Sequence, residues 1–428
     1  MKQSDEAAGG QEIGGGIPSN AFAQSVQLLL TRRFGTFWLA SLLSNIGTWA
    51  QQVAQPWLLL SLGASPFLLG LDSFAMGAPV LLLTLVGGAL ADGGDRRRII
   101  VQFQSIQMLC PILLVGLLLT GTVQPWIVIV LSLIVGITDA LSMPSFQSIV
   151  PSIVKRDQIP AAIALNSTQF NLSRILGPAI AGVLMASVGA AGAFAVSAAS
   201  YVPFIVVAMW VLPRVATTTS LRQGLDHRKL VASVKEIVHE PYLRGALLTV
   251  LTSALLSAPL ITFCPVLIKE VFHGDVGQFS LTMGAFGVGG LIGAIGLLTV
   301  DPKKDRRSLS SAFALVYGVV VVLAALNHWS WGLPLLFALA GVSMTASNAS
   351  ANALLQSAAP QRIRGQTVSL FMLAMRGGLA LGALVTGVSV SFLGVRDALL
   401  LNGVLAVLVH LAARHTWLHA PLPNSQLG

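Results

Sequence analysis

Gly87-Gly88-Ala89-Leu90-Ala91-Asp92-Gly93-Gly94-Asp95-Arg96-Arg97-Arg98 ends one long apolar run, and Ile99 opens the next at once. So tight a turn, carrying two acids and three arginines, cannot lie in hydrocarbon. Clustered arginines favour the cytoplasmic face of a membrane. The turn therefore orients the helices on both sides of it. Composition makes the membrane explicit. The 428 residues are 54% hydrophobic and 10% charged, with a mean hydropathy of +0.80, whereas a soluble domain carries roughly a quarter charged residues. The chain reads as a polytopic, all-α integral membrane protein.

A helix needs about twenty apolar residues to cross the bilayer. On that measure the spans fall at 35–62, 66–91, 98–120, 125–149, 159–187 and 190–212, then at 243–271, 277–300, 309–326, 332–358, 363–393 and 397–417. This divides the chain into a disordered tail (1–33), a six-helix half (34–212), a polar cytoplasmic linker (213–242), a second half (243–418) and a short tail (419–428). All but four of the 25 Lys and Arg fall on the side of the termini and linker. The exceptions are Arg174 and Arg376 inside spans and Lys269 and Arg396 near outer ends. That asymmetry predicts cytoplasmic termini and explains the +9 charge without nucleic acid.

The halves echo one another. Gly136-Ile137-Thr138-x-x-x-Ser142-x-x-Ser145-x-Gln147 matches Gly341-Val342-Ser343-x-x-x-Ser347-x-x-Ser350-x-Asn352, and Arg174 corresponds to Arg376. A parallel repeat of two six-helix halves is a known transporter architecture.

Gly88-x-Leu90-Ala91-Asp92 followed by Arg96-Arg97 resembles the loop between helices 2 and 3 of the major facilitator superfamily. Gly93 departs from that pattern where a basic residue is usual, and Asp95 where Gly is usual. An acid before the arginines is similar to the enterobactin-exporter-like and macrolide-efflux branch. So are Ser41-x-x-Ser44-x-x-Gly47, Pro56-Trp57, Ser65-Pro66, Met143-Pro144, Gly177-Pro178-Ala179-x-Ala181-Gly182, Gly287-x-Gly289-Gly290 and Arg364-Gly365. The resemblance implies the major facilitator fold and a bacterial inner membrane. It also implies a gating role for Gly88, Asp92, Arg96 and Arg97, and export of a small molecule such as a siderophore. A macrolide or multidrug pump is the alternative within the branch. A transporter-like scaffold or sensor is the alternative outside it.

At 100° per residue, Ser41, Ser44, Asn45, Thr48, Gln51, Gln52 and Gln55 share an arc of about 120° on the first span. Groups facing lipid would be unsatisfied, so this arc lines either a water-filled cavity or another helix. Asn45, Thr48, Gln52 and Gln55 are taken as cavity residues. Asn166, Gln169, Phe170, Ser173, Arg174 and Gly177 form a second stripe, in which Asn166, Gln169 and Phe170 join the cavity set. Asp139, Arg174 and Arg376 each lie about 15–21 Å from a span end at 1.5 Å per residue, close to mid-membrane. Charges there cost roughly 2.5–3.5 kcal/mol apiece and should face inward.

Asp139 and Arg174, on adjacent spans, are expected to pair and to couple proton entry to cargo exit. A permanent structural pair is the other reading. Arg376, without an evident acid, is the expected anion contact, so the cargo should be anionic or neutral. Ser132 holds the place of the superfamily's helix-four arginine. Asp72, near an outer end, reads as a solvated surface acid. There is no Walker-type loop, no nucleophile with a base and no metal spacing. ATP, enzymatic chemistry and a bound cofactor are therefore not expected. The proton gradient is the expected energy source, in a monomer surrounded by lipid. A C-terminal fluorescent-protein fusion should fluoresce in cells, and a C-terminal alkaline phosphatase fusion should be inactive. The reverse result would invert the topology.

Overall fold

The computed structural model describes residues 26–212, 235–237, 239–300, 305–360 and 363–418. The segments 1–25, 213–234 and 419–428, expected as tails and linker, lie outside the described residues. The helices are α1 (Arg32–Ser61), α2 (Pro66–Gly93), α3 (Arg96–Leu119) and α4 (Pro125–Ile149). Ile159–Val211 is two helices meeting at Gly189, at φ 68° and ψ −172°; α5 is 159–188 and α6 is 190–211. There follow α7 (Pro241–Val271), α8 (Val276–Leu298), α9 (Arg306–Leu326), α10 (Gly332–Ala358), α11 (Arg364–Leu393) and α12 (Val395–Leu418). The expected boundaries differ from these by no more than three residues.

Two boundaries move inward on the expected tails. Leu28 is buried in one cluster with Phe34 and Phe37, so folded structure begins before residue 34. Ile237 and Tyr242 are buried together with Leu243, so the second half begins inside the expected linker.

Among the described residues, ten helices are long and apolar enough to cross a membrane, one of them the α5–α6 pair. The helix outside that set is α1. It runs 30 residues, enough for about 45 Å, and its amides and hydroxyls lower its hydropathy. The irregular helix is α7. It is π-helical at Ser253–Ser257 and Leu267–Val271, and Pro259 and Pro265, between those turns, each remove a backbone donor.

The repeat seen in sequence has a packing cause. Lipid tails are as apolar as leucine, so helices in a bilayer associate by close contact at small residues. A Cβ on Gly136 would collide with the Met76 carbonyl of α2, and one on Gly341 with the Phe286 carbonyl of α8. Thus α4 rides on α2 as α10 rides on α8. The serines that follow, Ser142 and Ser145 or Ser347 and Ser350, are buried in both halves. The corner between α11 and α12 at Gly394 has φ 83°, like that at Gly189. Both occupy a region open to glycine at little cost.

The turn at 92–98 also repeats. Asp95 caps α3, its Oδ1 accepting from the Arg97 N–H at 3.0 Å. Asp305 caps α9 the same way through the Arg307 N–H at 2.8 Å. This accounts for the acid at position 95: an N-cap carboxylate satisfies amides that begin a helix.

The halves meet through α2 with α11 and through α5 with α8. Gly70 lies against the Ala383 carbonyl and Gly387, and Gly287 against the Ile175 carbonyl. At the end away from the linker, one apolar core crosses the divide. It holds Leu58, Leu59 and Leu69 from the first half with Phe263, Leu267, Phe279 and Val390 from the second. There Trp57 stacks on Phe279 at 5.0 Å, and Lys269 Nζ donates to the Leu60 carbonyl at 3.2 Å. At the linker end, the buried apolar residues form two separate groups, one per half. The molecule is closed at the far end, with its halves packed independently at the linker end.

A side chain at Gly70 should oppose this closure. Overpacking costs about 1–3 kcal/mol, so Gly70→Leu should lower the closed population roughly fivefold or more. Bis-maleimide cross-linking of Leu60→Cys to Lys269→Cys, with Cys110 and Cys264 replaced by Ser, reads that population. Unchanged cross-linking would contradict the assignment of this contact to closure.

Candidate functional site: a polar seam between the halves

The deep charges pair differently from the expectation. Arg376 Nη1 of α11 donates to Asp139 Oδ2 of α4 in an ion pair across the two halves. The expected Asp139–Arg174 pair within the first half is not formed. Arg174 Nη1 instead points at the Met375 sulfur of α11, 3.8 Å away, and no acid pairs with it among the described residues. Sequence depth could not choose between two arginines at one level; the register of α11 against α2 does. The carbonyl of Arg376 and Ala380 crowd Gly77, which places that turn of α11 on the first half. Among the described residues, the mid-span arginine left without an acid is therefore Arg174, not Arg376. The ion-paired side chains are 37% exposed for Asp139 and 22% for Arg376. The pair can thus exchange with water and has not been sealed into a dry core.

The α1 stripe divides along its width. On one edge, Gln51 accepts from Ser197 Oγ at 2.9 Å. Gln55 Nε2 donates to both oxygens of Asp72, at 2.9 and 2.8 Å. Near the middle, Thr48 Oγ1 shares a hydrogen bond with Tyr201 OH at 2.9 Å. On the other edge, Asn45 and Gln52 are half-buried and take no side-chain partner among the described residues. Gln55 and Thr48 thus hold helices together.

The α5 stripe divides as well. Gln169 is buried and donates to Ser173 Oγ at 3.1 Å, so it serves the helix. Asn166 and Phe170 are half-buried. Phe170 meets Trp49 edge-on, with centroids 6.1 Å apart, a geometry that suits the ring quadrupoles.

Asp72 overturns its expectation. It is 3% exposed, held by Gln55 and by Ser132 Oγ, which donates at 2.6 Å. The signal available in sequence was the pairing of two anomalies, a glutamine at the edge of the α1 stripe and a serine in place of the helix-four arginine.

The 92–98 turn is tied to its own half. Arg96 Nε donates to the Ala91 carbonyl at 3.1 Å and Nη1 to the Ser148 carbonyl at 3.4 Å. Arg97 donates to the Met209 carbonyl. Gly88 has open space around it, and the side chain of Asp92 lies outside the described residues. Among the described residues, no group of three or more His, Cys, Asp or Glu could hold a metal ion.

A sequence profile described as "Transmembrane secretion effector" matches residues 24–425. The staphyloferrin A transporter of Staphylococcus aureus is 25% identical, over 87% of this chain and 93% of its own length. The multidrug efflux pump Tap of Mycolicibacterium fortuitum is 27% identical, over 86% of this chain and 93% of its own. A solved structure of the nucleoside transporter NupG superposes with a TM-score of 0.71 at 11% identity, covering 90% of this chain and all of that one. The last likeness speaks for the fold alone.

The ion pair predicts a coupling that the other pairing does not. Asp139→Asn and Arg376→Met, singly and together, should show an interaction energy of about 0.5–3 kcal/mol in thermal unfolding. Asp139→Asn with Arg174→Met should be additive to within about 0.5 kcal/mol. The opposite result would restore the pairing within the first half.

Proposed function

The chain belongs to the transmembrane secretion effector family of the major facilitator superfamily, and from that membership we propose that it exports a small anionic or neutral polar molecule, of the siderophore kind, using the proton gradient. The coarser part is plain: this is a multi-pass membrane transporter and not an enzyme. The observation that carries the finer reading is the Asp139–Arg376 pair bridging the halves beside an arginine that has no acid among the described residues.

With the termini cytoplasmic, the structure is the inward-facing state, sealed at the outer end. Cargo entering from the cytoplasm meets Asn45, Gln52, Asn166 and Phe170, and its negative group finds Arg174. The pair is in partial contact with water, so a proton can reach it. A proton on Asp139 weakens its hold on Arg376 and frees the halves to rock, which ties proton movement to alternating access. Proton entry from outside and cargo exit then share one conformational cycle. This reading needs no bound cofactor and works in a monomer in the bacterial inner membrane. The names of the two relatives support siderophore and drug cargo respectively.

A second reading, efflux of a neutral macrolide or other drug, is favoured by the Trp49–Phe170 pair, which offers a ring surface. The non-transporting scaffold is disfavoured by half-buried amides left without partners.

Transport into oriented proteoliposomes under an imposed pH gradient tests these readings, with a carboxylate siderophore and a neutral macrolide as probes. Wild type should accumulate the siderophore. Losing a hydrogen bond from a charged group costs about 1.5–3 kcal/mol, so Arg174→Gln should lower its uptake roughly tenfold or more and spare the macrolide. Asp139→Asn should abolish the response to the gradient. Macrolide movement alone would select the second reading, and gradient-driven movement in Asp139→Asn would remove that acid from coupling.

A further inference from the structure

The Asp72 carboxylate is buried with no cation beside it among the described residues, and the exchange proposed above does not use it. It sits six residues into α2, about 9 Å from the far end at 1.5 Å per residue. Gln55 and Ser132 lie at a matching depth on α1 and α4. The oxygens of Asp72 accept from Gln55 Nε2 at 2.9 and 2.8 Å and from Ser132 Oγ at 2.6 Å.

Charged groups on every helix packed against α2 are accounted for. On α1 they are Arg32 and Arg33, at the opposite end. On α3 they are Arg96, Arg97 and Arg98, also at that end. On α4 there is Asp139, seven residues or about 10 Å deeper than Ser132. On α11 there are Arg376, paired with Asp139, and Arg364 at the linker end. On α7, Lys269 donates to the Leu60 carbonyl, Glu270 is exposed, and Arg244 is at the linker end.

A carboxylate kept ionised here would be costly, and a purely structural tie needs only an amide. The cluster is also poorly arranged for a metal cation, since the Gln55 amide turns its N–H toward the acid. The position matters too. Leu58, Leu59, Leu69 and Val128 of the far-end core surround this level and meet the second half's Phe263 and Leu267. When the far end is closed the cluster is sealed; when it opens, the cluster is the first buried acid that outside water reaches. Seven residues amount to nearly two helical turns, so Ser132 and Asp139 share a face of α4.

We propose that Asp72, with Gln55 and Ser132, is a second proton-binding site, loaded from the far end and locked when that end closes. It rests on the transport reading only for the direction of loading; the binding itself stands without it.

Infrared difference spectroscopy on the full-length protein in liposomes, with pH as the only perturbation, tests it without cargo or gradient. Wild type should show a protonated-carboxyl band that titrates and exchanges slowly in D2O because the group is sealed. Asp72→Asn should lose that band, and Asp139→Asn should keep it. Ser132→Ala retains the acid and should shift the band's frequency through the lost hydrogen bond, which decides the matter if Asp72→Asn fails to fold. The proposal is overturned by a band that survives Asp72→Asn, by one that Ser132→Ala leaves unmoved, by the absence of a slowly exchanging band, or by its displacement by sodium at constant pH. Since Asp139 is scored separately and no cargo moves, failure here leaves the Asp139 coupling reading standing.

Discussion

The Asp139–Arg376 ion pair is the salt bridge between the halves at mid-membrane among the described residues, and much of the geometry follows from it. Two opposite charges near the bilayer centre must find each other or water. Because one is on α4 and the other on α11, satisfying them brings the halves together. The glycines do the rest: Gly70 and Gly77 on α2 let α11 approach closely enough for Arg376 to reach across. The partial exposure of the pair matters equally. A dry, fully enclosed pair would be a rivet, whereas this pair is in contact with water.

The two halves are bound by different physics at their two ends. At the far end, aromatic and aliphatic side chains from α1, α2, α7 and α8 interlock across the divide. At the linker end, each half buries its own cluster, around Phe34 and Phe204 in the first and around Tyr242 and Trp417 in the second. Separate cores can part without exposing either. A closed state at the linker end must therefore be made by surface contacts, and the 92–98 turn lies there. Arg96 and Arg97 hold carbonyls of their own half. The caps from Asp95 and Asp305 hold the backbone of both turns.

Most of the fold was legible in the sequence because hydrocarbon thickness is a strict ruler. Twelve spans, the break at Gly189 and the repeat through Gly136 and Gly341 follow from length, hydropathy and small-residue spacing. What could not be read is which side chain meets which. Arg174 and Arg376 stand at one depth, and a span's depth says nothing of its rotation. Asp139 could reach either, and only packing of α11 on α2 decides. Asp72 was misplaced for a related reason. Proximity to a span end suggests water, but the far end is closed, so a residue two turns in is as dry as the core. The terminal boundaries shifted because Leu28 and Ile237 sit in polar surroundings in sequence and are buried by helices distant in the chain.

The width of the α1 stripe is informative about the division of labour. Seven polar groups on one helix exceed what helix adhesion requires, and the structure uses only part of them for it. Gln51, Gln55 and Thr48 are consumed by Ser197, Asp72 and Tyr201, which fixes the rotation of α1 about its axis. With that rotation fixed, Asn45 and Gln52 at the other edge can turn only toward the seam. An amide left unpartnered at mid-membrane is tolerated where water or cargo can reach it. The same glutamine that helps lock α1 also holds Asp72. Asp72 and the rotation of α1 are therefore tied through one side chain.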